Sequence, residues 1–299
     1  MTQPPLPGMP AEPNNEQSGD KPKLPKYAHF TVFAQEWLFP AVQVRLAENN
    51  REDTFTWCHR WWLHRSVSVR IAHLHTAFEA ARQRHTISDY MLGHVDPHMR
   101  WILDAANGPL HRCTRACHVA LPPLSADPMP PDALPRIKQN PPTTDKDGKK
   151  PPPPLRFTAV ADFVTQWLLP ITAVRTVGQN REGTYTWCPR WWEHPSVVVR
   201  FGGIHRVFEA ARVSDDPTSM SSLFVRQIDP HMRHILDASK GPLHNCTPTR
   251  HTPTPGLSAP WPPPGWFDQP GENIAVEDLG FGPDFRLLAP ALPHLRAAE

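Results

Sequence analysis

The sequence TFTWCHRWWLHRSVSVRIAHLHTAFEAAR, from Thr54 to Arg82, is repeated as TYTWCPRWWEHPSVVVRFGGIHRVFEAAR from Thr184 to Arg212. Each version opens with tryptophans and a cysteine, then continues into a segment whose apolar residues fall at helical spacing. The similarity extends to both sides of this stretch. The chain is therefore predicted to contain a duplicated domain, with its apolar core in the two copies.

The rest of the chain is rich in proline. A length of 299 residues allows about two domains, and the 39 prolines cluster outside the repeats. We predict a disordered tail over 1–26, repeat domain 1 over 27–113, a proline-rich linker over 114–156, repeat domain 2 over 157–246 and a proline-rich C-terminal tail over 247–299. The linker is expected to be extended, so that the two domains fold independently without a shared interface.

The apolar spacing indicates a mainly α fold, with about four helical segments and one short strand in each domain. The first helix has its stripe at matching positions in both copies: Phe30, Phe33, Trp37, Ala41 and Val44, and Val160, Phe163, Trp167, Ile171 and Val174. Pro40 and Pro170 lie inside this pattern and are expected to kink or split the helix.

The alternating Thr-aromatic-Thr-Trp segment predicts the short strand, and a second helix follows the tryptophan cluster. Its stripe comprises Val67, Ile71, Leu74, Phe78 and Ala81, and Val197, Phe201, Ile204, Phe208 and Ala211. A third stretch is predicted to break at Asp96-Pro97 and Asp229-Pro230, where Asp caps and Pro starts a last short helix.

Composition narrows the class of protein. The 31 Lys and Arg nearly balance the 29 Asp and Glu, which argues against a strongly basic nucleic-acid-binding protein. No apolar run suits a signal peptide or a membrane span, so we expect a cytoplasmic protein that makes no membrane contact. The five cysteines are expected to be reduced thiols or metal ligands.

Two thiols and two imidazoles recur at equivalent places in each copy. These candidate metal ligands are Cys58, His64, His98 and Cys113, and Cys188, His194, His231 and Cys246. Such a set can close a tetrahedral structural zinc site, which would suit a domain with a small core. The alternative is buried free cysteines beside capping histidines, with no cofactor.

A binding surface is a second candidate site. Its residues are Trp61, Trp62 and Arg70 in the first copy, and Trp191, Trp192 and Arg200 in the second. Adjacent tryptophans diverge on a helix or a strand, so one of each pair is free to contact a partner while the other packs in the core. The arginines would add nucleic-acid affinity, although Glu79 partly cancels their charge.

Catalysis has little support in the sequence. Cys58 or Cys188 with a histidine base, or a Glu79–Asp96 pair, would be the candidate groups. No glycine-rich elbow or oxyanion-hole motif accompanies them. We therefore expect a protein that is not an enzyme.

One family has this pattern. Trp-Cys-x-Arg-Trp-Trp-x-His, a helix ending Phe-Glu-Ala-Ala-Arg, Asp-Pro-His-Met and Gly-Pro-Leu-x-x-Cys together resemble an actinobacterial domain-of-unknown-function family, the one numbered forty-nine thirteen. The resemblance covers Tyr27 to Cys113 and Phe157 to Cys246. It implies a domain-sized unit and a source among plasmids and integrated mobile elements, and it supplies no mechanism.

These observations favour a non-catalytic binding or adaptor protein with an unidentified protein partner. The alternative is a nucleic-acid-associated accessory protein of a mobile element. The aromatic C-terminal segment with Trp261, Trp266 and Phe267 is a candidate docking peptide, either for a partner or for domain 2.

Overall fold

The two copies form mainly helical domains in tandem, as predicted. The structure is a computed structural model, and it describes residues 25–47, 51–114, 117–131, 133–134, 153–178, 181–257 and 260. Most of the predicted N-terminal tail and much of the linker and C-terminal tail, including the candidate docking peptide, lie outside these residues.

Repeat 1 contains three helical regions. The first region is continuous through an α-helical, a π-helical and an α-helical segment, and the last is built in the same way. A 3₁₀ turn precedes the long middle helix. In chain order the segments are Phe30–Phe33, Ala34–Leu38, Phe39–Ala41, Trp61–Leu63, Arg65–Arg84, Ile87–Tyr90, Met91–Val95 and Asp96–Leu103.

Repeat 2 has the same order of segments. Its first region ends in a 3₁₀ turn where repeat 1 has α-helix. The segments are Val160–Phe163, Val164–Leu168, Leu169–Ile171, Trp191–Glu193, Pro195–Arg212, Ser219–Leu223, Phe224–Ile228 and Asp229–Leu236.

The prolines coincide with π-helical turns. Pro40 and Pro97 both lie just after a π segment, where a wider turn accommodates the ring and the missing N–H. The predicted break at Asp96 is therefore wrong, because the chain stays helical from Ile87 to Leu103. Asp96 has helical backbone angles and does not cap.

The core follows the predicted stripes of the long helices. Val67, Ile71 and Leu74 are fully buried in repeat 1, as are Val197 and Phe201 in repeat 2. The predicted short strand is reduced to single bridges, in which Phe55 pairs with Asp104, and Tyr185 with Asp237. These bridges bring the tryptophan-cysteine segment beside the end of the last helix.

The Phe-Glu-Ala-Ala-Arg motif fastens the start of each domain. Glu209 accepts hydrogen bonds from the backbone N–H groups of Arg156 and Phe157, both at 3.0 Å, and Arg212 donates to the same carboxylate. Glu79 makes the equivalent contacts in repeat 1. The glutamate of this motif therefore fixes the backbone of the segment that leads into the first helix of each domain.

The two repeats pack against each other within one compact unit, which corrects the expectation of domains without a shared interface. Arg70 donates to both carboxylate oxygens of Asp229, at 3.0 and 2.5 Å, and both side chains are buried. The Arg70 guanidinium also lies over the rings of Trp101 and Phe224. Local sequence patterns do not reveal this contact, because it joins different faces of the two copies.

Part of the linker also contacts repeat 2. Leu124 is buried, and its N–H donates to the Thr172 carbonyl at 3.1 Å. The Trp187 indole N–H donates to the Ser125 carbonyl, and the Asp127 N–H donates to the Pro189 carbonyl. The described part of this segment, 117–131, contains no helix or strand, and it lies in a groove of the second domain.

Candidate metal centre

Four side chains converge at the start of the long helix in repeat 1. Cys58 lies just before the 3₁₀ turn Trp61–Leu63, and His64 lies between that turn and the helix. Cys113 comes from the closing loop, and His118 follows it by five positions. One ligand atom from each residue lies within 4.8 Å of every other.

The closest pairs join sulfur and nitrogen. Cys58 Sγ lies 3.3 Å from His118 Nδ1, and Cys113 Sγ lies 3.4 Å from His64 Nε2. Zinc–sulfur bonds of about 2.3 Å and zinc–nitrogen bonds of about 2.0–2.1 Å at a tetrahedral angle would place such atoms about 3.6 Å apart. The donor set and its spacing therefore fit a zinc ion with small adjustments.

Repeat 2 has the same cluster. Cys188 Sγ lies 3.3 Å from His251 Nδ1, and Cys246 Sγ lies 3.5 Å from His194 Nε2. Again the four ligand atoms lie within 4.8 Å of one another, and the two cysteines and His194 are buried. Both copies of the domain thus maintain one arrangement of two thiols and two imidazoles.

Local hydrogen bonds position the closing cysteine. The Thr56 hydroxyl donates to the Cys113 carbonyl at 3.1 Å, and the Thr186 hydroxyl donates to the Cys246 carbonyl at 2.8 Å. Both threonines are buried in the tryptophan-cysteine segment. The repeated threonine therefore ties the two halves of the site together.

A tight turn then returns the chain to the cluster. The Thr114 N–H donates to the Cys117 carbonyl, and the Cys117 N–H donates to the Thr114 hydroxyl. The Val119 N–H donates to Cys113 Sγ at 3.4 Å, which is a contact that stabilises a thiolate. This turn places the His118 ring against Cys58.

Burial controls the protonation of these groups. Burial and the neighbouring His118 ring lower the pKa of His64 to about 4, and burial and His251 lower the pKa of His194 to about 4. Burial also raises the pKa of Cys113 to about 11. The His64 and His194 imidazoles are therefore neutral and ready to bind a metal, whereas the Cys113 thiol would release its proton when a cation binds.

The second repeat adds a carboxylate behind one ligand. Glu193 Oε2 lies 3.0 Å from His251 Nε2, on the far side of the ring from the nitrogen that faces Cys188. Leu63 occupies the equivalent position in repeat 1. Such outer carboxylates orient a ligating histidine and raise its basicity.

The predicted ligands His98 and His231 lie elsewhere. His98 is fully buried between the repeats, where its ring contacts Arg70 and the Ser221 hydroxyl. His231 contacts Arg200 in the equivalent way. These histidines repeat because they orient an arginine, so their assignment as ligands is corrected.

His118 and His251 are the fourth members of the two clusters, in place of His98 and His231. The sequence analysis did not identify them. The segment Cys-Thr-x-x-x-His occurs after both Gly-Pro-Leu motifs, at Cys113 and at Cys246. The similarity between the copies therefore continues past the closing cysteines to these histidines. Paired Cys-x₅-His and Cys-x₄-His spacings are the signal in the sequence that points to them.

The predicted binding residues differ in exposure. Trp61, Trp191 and Arg70 are buried, so they offer no free surface. Trp62 is 54% exposed, and its counterpart Trp192 is half-buried. Trp62 is thus the exposed member of its pair, whereas Trp192 packs against the core and Arg70 serves the contact between repeats.

The groove that holds the linker in repeat 2 has an open counterpart in repeat 1. Trp187 is 2% exposed and Val174 is 5% exposed in repeat 2. In repeat 1 the equivalent Trp57 is half-buried and Val44 is 40% exposed. A cavity lies here, lined by Phe39, Val42, Val44, Leu46, Trp57, Met99 and Leu103.

Comparisons with known proteins identify a family that covers both repeats. The model of the family described as Domain of unknown function (DUF4913) matches residues 27–131 and 157–264. Both matches run beyond Cys113 and Cys246, so each includes its cluster histidine. No curated protein and no solved structure matches the chain. Among the described residues, no helix is long and apolar enough to cross a membrane.

Proposed function

Since the chain belongs to the DUF4913 family, we propose that the domain of this family is a non-catalytic binding module closed by a structural zinc ion, present here in two copies. The observation that carries the proposal is the pair of buried clusters with four ligand atoms within 4.8 Å in each repeat. Their cysteines suit the reducing cytoplasm, where thiols persist.

The composition of the cluster supports a structural role for the metal. Catalytic zinc keeps three protein ligands and one open position, whereas structural zinc has four protein ligands. Each repeat supplies four, and in repeat 1 Cys58, His64 and Cys113 are all buried. The ion would join the start of the long helix to the closing loop and the segment that follows it.

The groove of repeat 2 supports a binding role. It accepts an extended, proline-flanked segment through two backbone hydrogen bonds and one indole hydrogen bond, at Thr172, Pro189 and Trp187. Extended peptides commonly bind to aromatic grooves in this way. The equivalent open groove of repeat 1 would bind a protein partner, and Trp62 would contact it as its counterpart Trp192 lies beside the linker segment in repeat 2.

Elemental analysis of the purified chain tests the metal. We expect close to two zinc ions per chain, one in Cys58→Ser and one in Cys188→Ser. Cys117→Ser is the matched control, because Cys117 is exposed and lies outside both clusters. Metal-free protein whose melting is unchanged by a chelator would contradict the proposal.

A salt titration separates the adaptor from the nucleic-acid-associated alternative. A DNA or RNA mobility shift that weakens steeply with salt would favour the alternative, because phosphate contacts release counterions. We expect no such shift. The same preparation should bind a synthetic peptide with the sequence of residues 121–131, and Trp62→Ala should weaken that binding.

A further inference from the structure

The contact between the repeats joins two different faces of the same domain. Repeat 1 contributes an arginine face, made of Arg70 and His98. Repeat 2 contributes an aspartate face, made of Ser221, Phe224 and Asp229. A contact of this kind is heterologous, so each domain retains a second face that the contact does not use.

The unused arginine face lies on repeat 2. Arg200 Nη1 lies 3.1 Å from His231 Nδ1, which matches the 3.3 Å between Arg70 and His98. The adjacent Val199 is 75% exposed, whereas its counterpart Val69 is half-buried. The guanidinium is therefore held in the same orientation on an uncovered surface.

The unused aspartate face lies on repeat 1. Its carboxylate is Asp96, which is exposed, whereas Asp229 is buried. Ser88 is exposed, but its counterpart Ser221 is fully buried. Leu92 is 69% exposed, which is a large apolar surface to leave in water. The two unused faces thus carry opposite charges.

The groove that binds the linker is likewise occupied in one repeat, repeat 2, and open in the other, repeat 1. The motif Pro-x-Leu-Ser-Ala occurs at 122–126, where it occupies the groove of repeat 2, and again at 255–259, after repeat 2. The open groove of repeat 1 offers the Val42 carbonyl and the Trp57 indole where repeat 2 uses Thr172 and Trp187. The third hydrogen bond would be lost, because Pro260 replaces Asp127 and has no N–H.

We propose that chains associate head to tail: the arginine face of repeat 2 in one chain binds the aspartate face of repeat 1 in a second chain. Arg200 pairs with Asp96, and the 255–259 segment of the first chain lies in the open groove of the second. The new contact reproduces the one between the repeats of a single chain. It closes into a ring or continues as a filament, depending on its rotation.

Light scattering of the full zinc-loaded chain over a range of concentrations tests whether chains associate head to tail. We expect masses above the 33.8 kDa of one chain, rising with concentration. Arg200→Glu and Asp96→Arg should each weaken association about tenfold or more, because like charges then face each other. The double variant Arg200→Glu/Asp96→Arg should restore association through the reversed pair.

Arg206→Glu is the control, since it makes the same charge change on an exposed position of the same helix. Leu257→Asp should also weaken association, and it leaves the Arg200 side chain intact. Zinc content and melting of each variant verify that it is folded. A mass of one chain at every concentration, single charge variants that behave like Arg206→Glu, or a double variant that fails to recover would overturn the proposal.

Discussion

At the scale of single residues, the second repeat should hold the proposed zinc ion more tightly than the first. Glu193 Oε2 lies 3.0 Å from the outer nitrogen Nε2 of the candidate ligand His251, whereas repeat 1 has Leu63 in that place. Loss of such an outer carboxylate typically lowers metal affinity about 10–100-fold. Competition with a chelator should therefore release zinc in two phases.

Exchange of these two residues provides the control. Glu193→Leu should merge the two phases at the weaker affinity, and Leu63→Glu should move the weaker site toward the stronger one. If Glu193→Leu leaves both release phases unchanged, the carboxylate does not act on the histidine.

The buried side chain of Glu209 leads to a second prediction at the scale of single residues. Burial alone would raise its pKa, but the N–H groups of Arg156 and Phe157 and the Arg212 guanidinium outweigh burial and hold the pKa below its usual value. Because the folded pKa is lower than the unfolded one, the stabilisation is present above pH 4.5 and is lost as the pH falls below it.

Glu209→Gln should therefore reduce the free energy of unfolding by about 1–3 kcal/mol at neutral pH, since a buried charged acceptor is lost. Denaturant titrations at pH 7 and below pH 4 measure it, and the difference between variant and wild type should shrink in acid. Glu182→Gln, at an exposed position, is the control. An equal difference in the free energy of unfolding at both pH values would contradict the stabilising role of the ionised Glu209 carboxylate.

The periodicity and the repetition of the sequence predict much of the core and most of the candidate metal ligands. Val67, Ile71 and Leu74 are identifiable because a buried helix face must recur every three to four residues. Cys58, His64 and Cys113 are identifiable because they repeat. Repetition alone cannot separate His98 from the ligands, since a residue that orients Arg70 in a shared fold repeats just as a metal ligand does.

At the scale of elements, the loop that carries Cys113 depends on Gly108. A Cβ on Gly108 would lie 2.5 Å from the Asp104 carbonyl oxygen and 2.9 Å from that of Trp101. Backbone atoms cannot move aside as a flexible side chain can. Gly108→Ala should therefore distort the loop, lower stability by about 2 kcal/mol or more and weaken the first zinc site.

Gly93→Ala is the matched control, because a Cβ added at this helical residue would meet no atom within 4 Å. Thermal melting should show little change or a small gain for this variant. Zinc release from the first site should accelerate in Gly108→Ala alone. Equal stability of the two variants would mean that the loop can relax around a methyl group.

At the scale of the whole molecule, the repeats are coupled by contacts that no local pattern contains. Arg70 and Asp229 are far apart in sequence, and each belongs to a helix that periodicity predicts equally well with or without the other. Removing one partner of such a buried pair costs about 3–5 kcal/mol, because the other charge remains buried. The expectation that repeat 2 folds alone is therefore best tested with fragments.

The linker segment should stabilise repeat 2 independently of repeat 1. A fragment of residues 117–257 retains Leu124 in its groove and the complete second cluster, whereas 153–257 retains the cluster and exposes the groove. Burial of a leucine side chain contributes about 1.5–3 kcal/mol, so the longer fragment should unfold at higher denaturant concentration. Leu124→Asp in the longer fragment should remove the difference.

A fragment of 157–246 should behave differently from both, because it lacks His251 and with it one ligand of the second cluster. We expect 117–257 and 153–257 to bind one zinc ion each and to lose their cooperative melting with a chelator. The 157–246 fragment should bind zinc weakly and melt without cooperativity, since three ligands cannot close the site. If it binds zinc as tightly as 153–257, the histidine after the closing loop is not a ligand, and the repeat is complete at Cys246.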